Sequence, residues 1–411
     1  MISKIKKILY FPLAHYFRFF AQIQLAIWHP KIIVITGSSA KTTLLHMLES
    51  QIGKGAKYSH QANSSFGIPF DILDLKRKTL KLLEWPALFL LAPVRAFQKL
   101  HSQNLYIVEA DCDRPHEGKF LATLLHPEFS CWLVSSRSHS INFPEPVDEN
   151  IAHEFGYFLE WTSKRVIVNG DSPLIKRELQ RTTAEIETIS QKDLQSYQVT
   201  EDQSIFKIKG KGYTFNFLLP QESFYQIQSV IKILDYLNIP LDPLFKNFTL
   251  PPSRSSLLKG IKNTLILDSS YNADLNATVV MLNMFKKVPA LHKWVILGDL
   301  VEQGKKEQEE HQRLVPAVLT ANPEKVILVG PRLKKYTYPL LKGKIEVENF
   351  ITPLEALNYI KASIRGEEMI FFKGARFLEG IIEHLLKNKA DAAKLCRREK
   401  VWQERRKRWG L

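Results

Sequence analysis

The chain is short of cysteine. Three in 411 residues (Cys112, Cys131 and Cys396) build no disulfide framework and show no metal-ligand spacing. Their scarcity fits a reducing, cytoplasmic setting. The chain is also short of acid: 42 Asp and Glu stand against 57 Lys and Arg, for a net charge of +15. A basic balance favours anionic partners, namely nucleotides, nucleic acid or a membrane surface. Much of the excess lies at the ends, in MISKIKK and CRREKVWQERRKRWGL, where a solvated helical tail is the plainer reading. No uninterrupted apolar run reaches membrane-spanning length. ILYFPLAHYFRFFAQIQLAIW is broken by Pro12, His15, Arg18, Gln22 and Gln24, and no small-residue cleavage site is evident. Its aromatics with Lys and Arg suit either an interfacial amphipathic helix, on the inner face of the membrane, or a helix packed on the next domain. LLEWPALFLLAPV is too short to span and is cut by Pro86 and Pro93. Internal repeats and long low-complexity segments are lacking.

What is present is a series of short apolar runs, most ending in a polar or glycine cluster: KIIVITGSS, NLYIVEADCD, FSCWLVSSRSH, KRVIVNGDS, TLILDSSYNA, KWVILGDL, EKVILVG and MIFFKGAR. Longer helical patterns lie between many of them. Buried β-branched runs alternating with helices predict α/β architecture with largely parallel sheets. The length calls for two or three domains. Pro251-Pro252 and the serines after it mark a break, with a second α/β unit from about Ile261 to Leu386. Ligands of such sheets bind beyond the carboxyl ends of the strands, where the polar clusters fall.

The stretch VITGSSAKTTLLHMLES has the pattern of a phosphate loop. Gly37 permits the turn, the N–H groups of Ser38, Ser39, Ala40 and Lys41 can point at phosphate oxygens, and the following helix adds its positive end. Lys41 would reach the terminal phosphates, and Thr42, followed by Thr43, would offer a hydroxyl to Mg²⁺. Ala40 stands where such loops usually carry glycine. It is tolerable if its φ is negative or the strain stays on the order of 1 kcal/mol. Glu109 ends one strand and His139 follows another, so a carboxylate and an imidazole lie where they can hold Mg²⁺ beside a triphosphate. In the second unit Asp268, Tyr271 and Asn272 follow a strand. Arg254 after the proline pair is placed to meet a phosphate. Lys373 and Arg376 of KGAR offer charge to an anionic substrate, a carboxylate by preference.

Read in order, ITGSSAKTT, NSSFGIP, VEADCDRPHEG, the histidine of SRSHSINF, VNGDS, PSR, LDSSYNADLNAT, LGDLVEQG with the later His311, and FKGAR resemble the Mur ligase family, over about Lys31 to Leu386. The resemblance implies a P-loop-containing central domain (31–250) and a Rossmann-like C-terminal domain (251–390). These would be flanked by an apolar, basic N-terminal helix (1–30) and a basic tail (391–411). It implies an ATP-dependent, ADP-forming ligase of peptidoglycan precursor synthesis, nearest the members that add D-alanyl-D-alanine. The carboxylate of a UDP-muramoyl peptide attacks the γ-phosphate, and an amino acid or dipeptide amine then displaces phosphate from the acyl phosphate. Lys41 would contact phosphates, Thr42 and Glu109 would bind one Mg²⁺, and His139 a second. Arg254 and Asp268 would meet ATP. Tyr271, Asn272, Lys373 and Arg376 would line the nucleotide or amine side, and Asn63 and Ser64 would touch substrate. No nucleic acid is expected.

Four departures accompany the resemblance. Ala40 replaces the loop glycine. Phe155 falls where the family carries a carbamylated, metal-bridging lysine, with His153 and Glu154 adjacent. Phe224-Tyr225-Gln226-Ile227-Gln228 replaces a His-Asn-x-x-Asn that approaches adenine, so that stacking or a glutamine amide would have to substitute. The family's N-terminal UDP-sugar domain has no counterpart in the sequence. A Mur-like ligase for another acceptor, such as a folate-like or poly-amino-acid substrate, and a nucleotide-binding homologue without turnover are the alternative readings.

Overall fold

The structure is a computed structural model of the 411-residue chain. It describes residues 2–60, 62–77, 82–137 and 139–411, with the backbone alone for 2–8 and 82. Two compact units emerge, residues 1–191 with 225–248, and residues 192–224 with 249–411.

The first unit is built on a six-stranded parallel sheet of β1 (Lys31–Thr36), β2 (Lys57–Tyr58), β3 (Leu105–Ala110), β4 (Phe129–Trp132), β5 (Arg165–Asn169) and β6 (Glu185–Ile189), in the order β2-β3-β1-β4-β5-β6. KIIVIT and LYIVEA are buried almost throughout, as strands covered on both faces must be, which explains their unbroken apolar character. The register sets Ile35 beside Glu109 and Thr36 beside Ala110, so the loops after β1 and β3 leave the same edge of the sheet.

The helices of this unit are α1 (Ile2–Trp28), α2 (Lys41–Ile52), α3 (Gly67–Ile72), α4 (Trp85–Ala96), α5 (Glu117–Leu125), α6 (Val147–Glu160), α7 (Pro173–Glu178) and α8 (Ser223–Leu237). Helix α1 takes the packed alternative. Ala14, Phe17 and Ala21 are buried, and Phe17 stacks on Phe89 and meets Phe70 edge-on. The aromatics that suggested an interfacial helix are thus largely core, though Leu9, Phe19 and Ile27 stay exposed. Helices α5 and α6 approach so closely that a Cβ on Gly118 would lie 2.0 Å from the Glu154 carbonyl oxygen. Only glycine fits there.

The second unit holds an antiparallel three-stranded sheet of β7 (Leu194–Val199), β8 (Ser204–Ile208) and β9 (Lys211–Phe215). Its main sheet comprises β10 (Ser256–Lys259), β11 (Leu265–Ser269), β12 (Lys293–Gly298), β13 (Lys325–Val329), β14 (Val347–Phe350) and β15 (Met369–Lys373), in the order β10-β11-β15-β12-β13-β14. Only β10 runs antiparallel to its neighbour. The helices are α9 (Leu275–Lys287), α10 (Glu307–Ala321), α11 (Pro331–Tyr336), α12 (Tyr338–Leu341), α13 (Pro353–Ser363), α14 (Leu378–Leu385) and α15 (Lys400–Lys407). The α/β class and the largely parallel sheets are those the sequence predicts.

The basic C-terminal segment is not a solvated tail. Arg406 is buried beside Glu379, Arg397 reaches both Glu379 and the Tyr271 carbonyl, and Arg398 pairs with Glu383 at 2.7 Å. Three arginines on two buried or half-buried carboxylates tie the segment to α14, which the one-dimensional charge run cannot show.

Candidate active site

The loop between β1 and α2 has the shape the sequence predicts, with one strained residue. Gly37 sits at φ 115°, and a Cβ there would lie 2.6 Å from the Val134 carbonyl oxygen. Ser38 braces the loop against the chain after β4: its N–H donates to Val134 O, its hydroxyl to Ser136 O at 2.9 Å, and the Ser136 N–H donates back to Ser38 Oγ at 2.7 Å. Ala40 is left-handed, at φ 71°, immediately before α2, which starts at Lys41. The condition for a strain-free alanine is therefore not met, and the site carries on the order of 1 kcal/mol of backbone strain. Strain of this kind clusters at ligand clamps.

Lys41 is buried, pairs with Asp111 at 2.9 Å and donates to the Gly37 carbonyl oxygen. Burial works against its charge, but the carboxylates of Asp111, Glu109 and Asp113 outweigh that and hold its pKa above the ordinary lysine value. Thr42 donates its hydroxyl to Glu109, 2.8 Å from Oε2 and 3.1 Å from Oε1. Glu109 is held in turn by its own N–H, which donates to Ser59 Oγ. His139, also left-handed, lies with Nε2 3.2 Å from Asp113 Oδ1. Lys41, Thr42, Glu109 and His139 thus fall in one region.

Two carboxylates join them that sequence reasoning did not single out. Ligand atoms of Asp111, Asp113 and His139 all lie within 4.8 Å of one another. Burial, with the Asp111 charge next, pushes the Asp113 carboxyl up to about 6, against the pull of His139. The signal for both was the alternation Glu-x-Asp-x-Asp at the end of β3. Asn63 and Ser64 serve the loop before α3: the Asn63 carbonyl accepts from Asp111 N–H, and Ser64 Oγ accepts from Gly67 N–H. Glu117, fully buried, gathers the Ser65 N–H and hydroxyl, the Asp113 N–H and the Tyr10 hydroxyl of α1. The N-terminal helix is therefore bonded to the loop that carries Asp113.

No protein-family model matches the chain. It is 31% identical over 161 residues to the UDP-N-acetylmuramoyl-tripeptide–D-alanyl-D-alanine ligase of Rickettsia prowazekii (strain Madrid E), a match covering 38% of this chain and 35% of that one. It is 22% identical over 381 residues to the enzyme of the same name from Buchnera aphidicola, covering 87% and 75%. The MurF ligase of Thermotoga maritima, solved in complex with ADP, shares the fold with a TM-score of 0.73 at 17% identity, over 95% of this chain and 84% of that one. The chain thus resembles these ligases in sequence and shares the MurF fold.

Of the four departures from the resemblance, Phe155 is the sharpest. Its ring is fully buried on the inner face of α6, 5.8 Å from the Trp132 ring. Neither neighbour takes over a metal-binding role. The Glu154 carboxylate accepts from the N–H groups of His116 and Gly118, at 2.7 and 2.9 Å, at the start of α5. His153 is half exposed beside Arg181 and Glu178. The replaced adenine motif is better placed. Gln226 donates to the Ala40 carbonyl oxygen at 3.4 Å. Gln226 Oε1 and Gln228 Nε2 are both buried without a hydrogen-bond partner among the described residues. The Gln226 oxygen, buried and unpaired beside the phosphate loop, fits a ligand that completes it. Tyr225 donates instead to Asp171 at 2.6 Å.

In the second unit the predicted residues fall into two groups. Asp268 is fully buried and accepts from Ser253 Oγ at 2.6 Å and from the Ser270 N–H and hydroxyl. Burial raises its pKa, and these hydrogen bonds offset that only in part. Arg254 stacks over the Tyr271 ring at 4.3 Å. Lys373 donates to the Asn272 carbonyl oxygen at 2.8 Å. Its pKa is brought down to about 8, first by burial, with Asp274 opposing and Arg254 adding. These five form one cluster. Arg376 belongs elsewhere: it forks onto Asp299, Nε and Nη2 lying 2.9 and 2.7 Å from Oδ2. Its charge is committed inside the protein rather than offered to a substrate carboxylate. His311 accepts from Leu300 N–H at Nε2 and faces Glu307 O at Nδ1, so the buried, neutral ring holds the LGDL loop.

Proposed function

We propose that the chain is a cytoplasmic, ATP-dependent, ADP-forming amide ligase of the Mur type. It joins an amino acid or dipeptide amine, D-alanyl-D-alanine in the leading reading, to the carboxylate of a UDP-muramoyl peptide. Residues 31–250 would serve as the ATP-binding domain and 251–390 as the C-terminal domain. The observation that carries the reading is the convergence on one phosphate loop of Lys41, the Thr42–Glu109 pair at 2.8 Å, and the Asp111–Asp113–His139 cluster.

The substrate carboxylate attacks the γ-phosphorus of ATP, ADP leaves, and the acyl phosphate is then attacked by the amine, with loss of phosphate. The chain contributes position and charge. Loop N–H groups and Lys41 bind the terminal phosphates, which requires Lys41 to exchange Asp111 for phosphate oxygens. Thr42 and Glu109 would hold one Mg²⁺, and Asp113 with His139 a second. The donor set fits, since hard carboxylate and hydroxyl oxygens dominate it and the ligand atoms of Asp111, Asp113 and His139 all lie within 4.8 Å of one another. Bound Mg²⁺ would neutralise phosphate charge. Gln226 would meet the nucleotide, and Asn63 and Ser64 would flank the acyl substrate. Arg254, Asp268, Tyr271, Asn272 and Lys373 would serve nucleotide and amine.

One observation favours a second reading, a nucleotide-binding homologue without turnover: Phe155 is locked in the core where a metal-bridging lysine is expected. A product assay decides. Mg-ATP, UDP-muramoyl tripeptide and D-alanyl-D-alanine are incubated with the protein and with a Lys41→Ala control. Pentapeptide with equimolar ADP, absent in the control, is the expected result. Nucleotide binding without ADP or product, over this and other acceptors, would establish the second reading.

A further inference from the structure

Helix α4 carries an apolar face that the first unit does not cover. Leu88, Ala92 and Ala96 point into the core, where α1 packs along the helix and Tyr16 donates to the Phe89 carbonyl oxygen at 2.7 Å. The opposite face reads Pro86, Ala87, Leu90, Leu91 and Val94, with Leu83 just before the helix and Phe97 just after it, all exposed and none charged. Leu83 is 87%, Leu90 74% and Phe97 69% exposed. Such a face on a surface helix marks an interaction site.

The charge around it identifies the partner. Residues 74–104 contain six Lys and Arg (Lys76, Arg77, Lys78, Lys81, Arg95 and Lys99) against two acids, Glu84 and Asp74, the latter 3.9 Å from Lys76. Glu84 is itself 3.7 Å from Arg77. Lys76 is 82% exposed before the helix, and Lys99 is exposed after it. An apolar stripe with cations at both ends is the chemistry of an anionic membrane surface, where leucine and phenylalanine enter the acyl boundary and lysines meet headgroups. At 12 residues α4 is about 18 Å long against about 30 Å of hydrocarbon. No helix among the described residues is long and apolar enough to cross a membrane.

We propose that the outer face of α4 seats the protein on an anionic lipid bilayer, the helix lying in the plane of the interface. The seat is independent of the ligase chemistry. It is nevertheless bonded toward it, because α4 holds α1 through Tyr16, and α1 holds Glu117 through Tyr10.

The test is flotation of the full chain with vesicles of equal parts phosphatidylglycerol and phosphatidylcholine, beside vesicles of phosphatidylcholine alone. The protein is expected to float with the anionic vesicles, less so at high salt, and not with the neutral ones. Leu90→Glu with Phe97→Glu should weaken binding by about tenfold or more, and Lys76→Glu with Lys99→Glu by a similar factor. Thermal unfolding checks that each variant is folded. Should the apolar pair fail to fold, the lysine pair, which lies outside the core, decides. Absence of wild-type binding to anionic vesicles, or binding indifferent to the substitutions, overturns the proposal. So does a wild-type dimer in sedimentation that the Leu90→Glu, Phe97→Glu variant dissolves, which would make a second copy the occupant.

Discussion

Lys41 and Asp111 are paired at 2.9 Å, both nearly out of solvent, directly behind the phosphate loop. The pair holds the loop lysine charged and positioned in the free protein. It also means that phosphate must compete with a carboxylate for that lysine. Removing one partner strands the other, which is the expensive way to break a buried pair.

Lys41→Ala is therefore expected to lose about 3 kcal/mol of stability, since Asp111 is left unpaired. Lys41→Ala combined with Asp111→Asn should recover most of that loss in urea denaturation. Neither variant should bind nucleotide in calorimetry. Recovery of binding in the double variant would remove Lys41 from the phosphate site.

Phe155 acts as a core residue. Phe155→Ala should cost about 3–4 kcal/mol through loss of its contact with Trp132 and the cavity left behind. Phe155→Lys, the change that restores the residue type expected of the family, should destabilise at least as much and raise no ADP-forming activity. A stable, more active Phe155→Lys protein would show that α6 can reorganise around a buried charge.

Asp113 links stability to pH. Its carboxyl titrates near 6 in the folded chain, against an ordinary value of 3.8. Between those values the folded state holds the proton and the unfolded state does not. The contribution is unfavourable above pH 6, and stability from this group falls as pH rises from about 4 to 6. Asp113→Asn removes the fall. In urea denaturation without divalent cations, the variant should gain on the order of 1–2 kcal/mol over wild type between pH 4 and pH 7. An unchanged difference across that range would show that Asp113 is not crowded as described.

Gln226 offers a buried amide with an unpartnered oxygen beside the phosphate loop. Gln226→Leu should leave the free protein about as stable, because an orphaned polar group is replaced by an apolar one. Nucleotide affinity should fall by roughly tenfold, about 1.4 kcal/mol. If affinity measured by calorimetry is unchanged, the amide meets no part of the nucleotide.

Much of this protein was legible as a string. KIIVIT followed by Gly-x-x-x-Lys-Thr-Thr, and LYIVE ending in a carboxylate, state a strand, a turn and their chemistry locally, because parallel strands are apolar along their length and phosphate loops are set by near neighbours in sequence. That is why Lys41, Thr42 and Glu109 can be read together from the string, and why Thr42 does bond Glu109. The limits were set by contacts between residues far apart in the chain. Only folding pairs Lys41 with Asp111, brings Asp113 to His139 and turns Arg376 onto Asp299 rather than toward substrate. It also folds the C-terminal arginines back onto Glu379, and it decides which side of α1 and of α4 is buried. Periodicity gives a helix its two faces. Which face meets the core depends on what packs against it, and no local pattern contains that information.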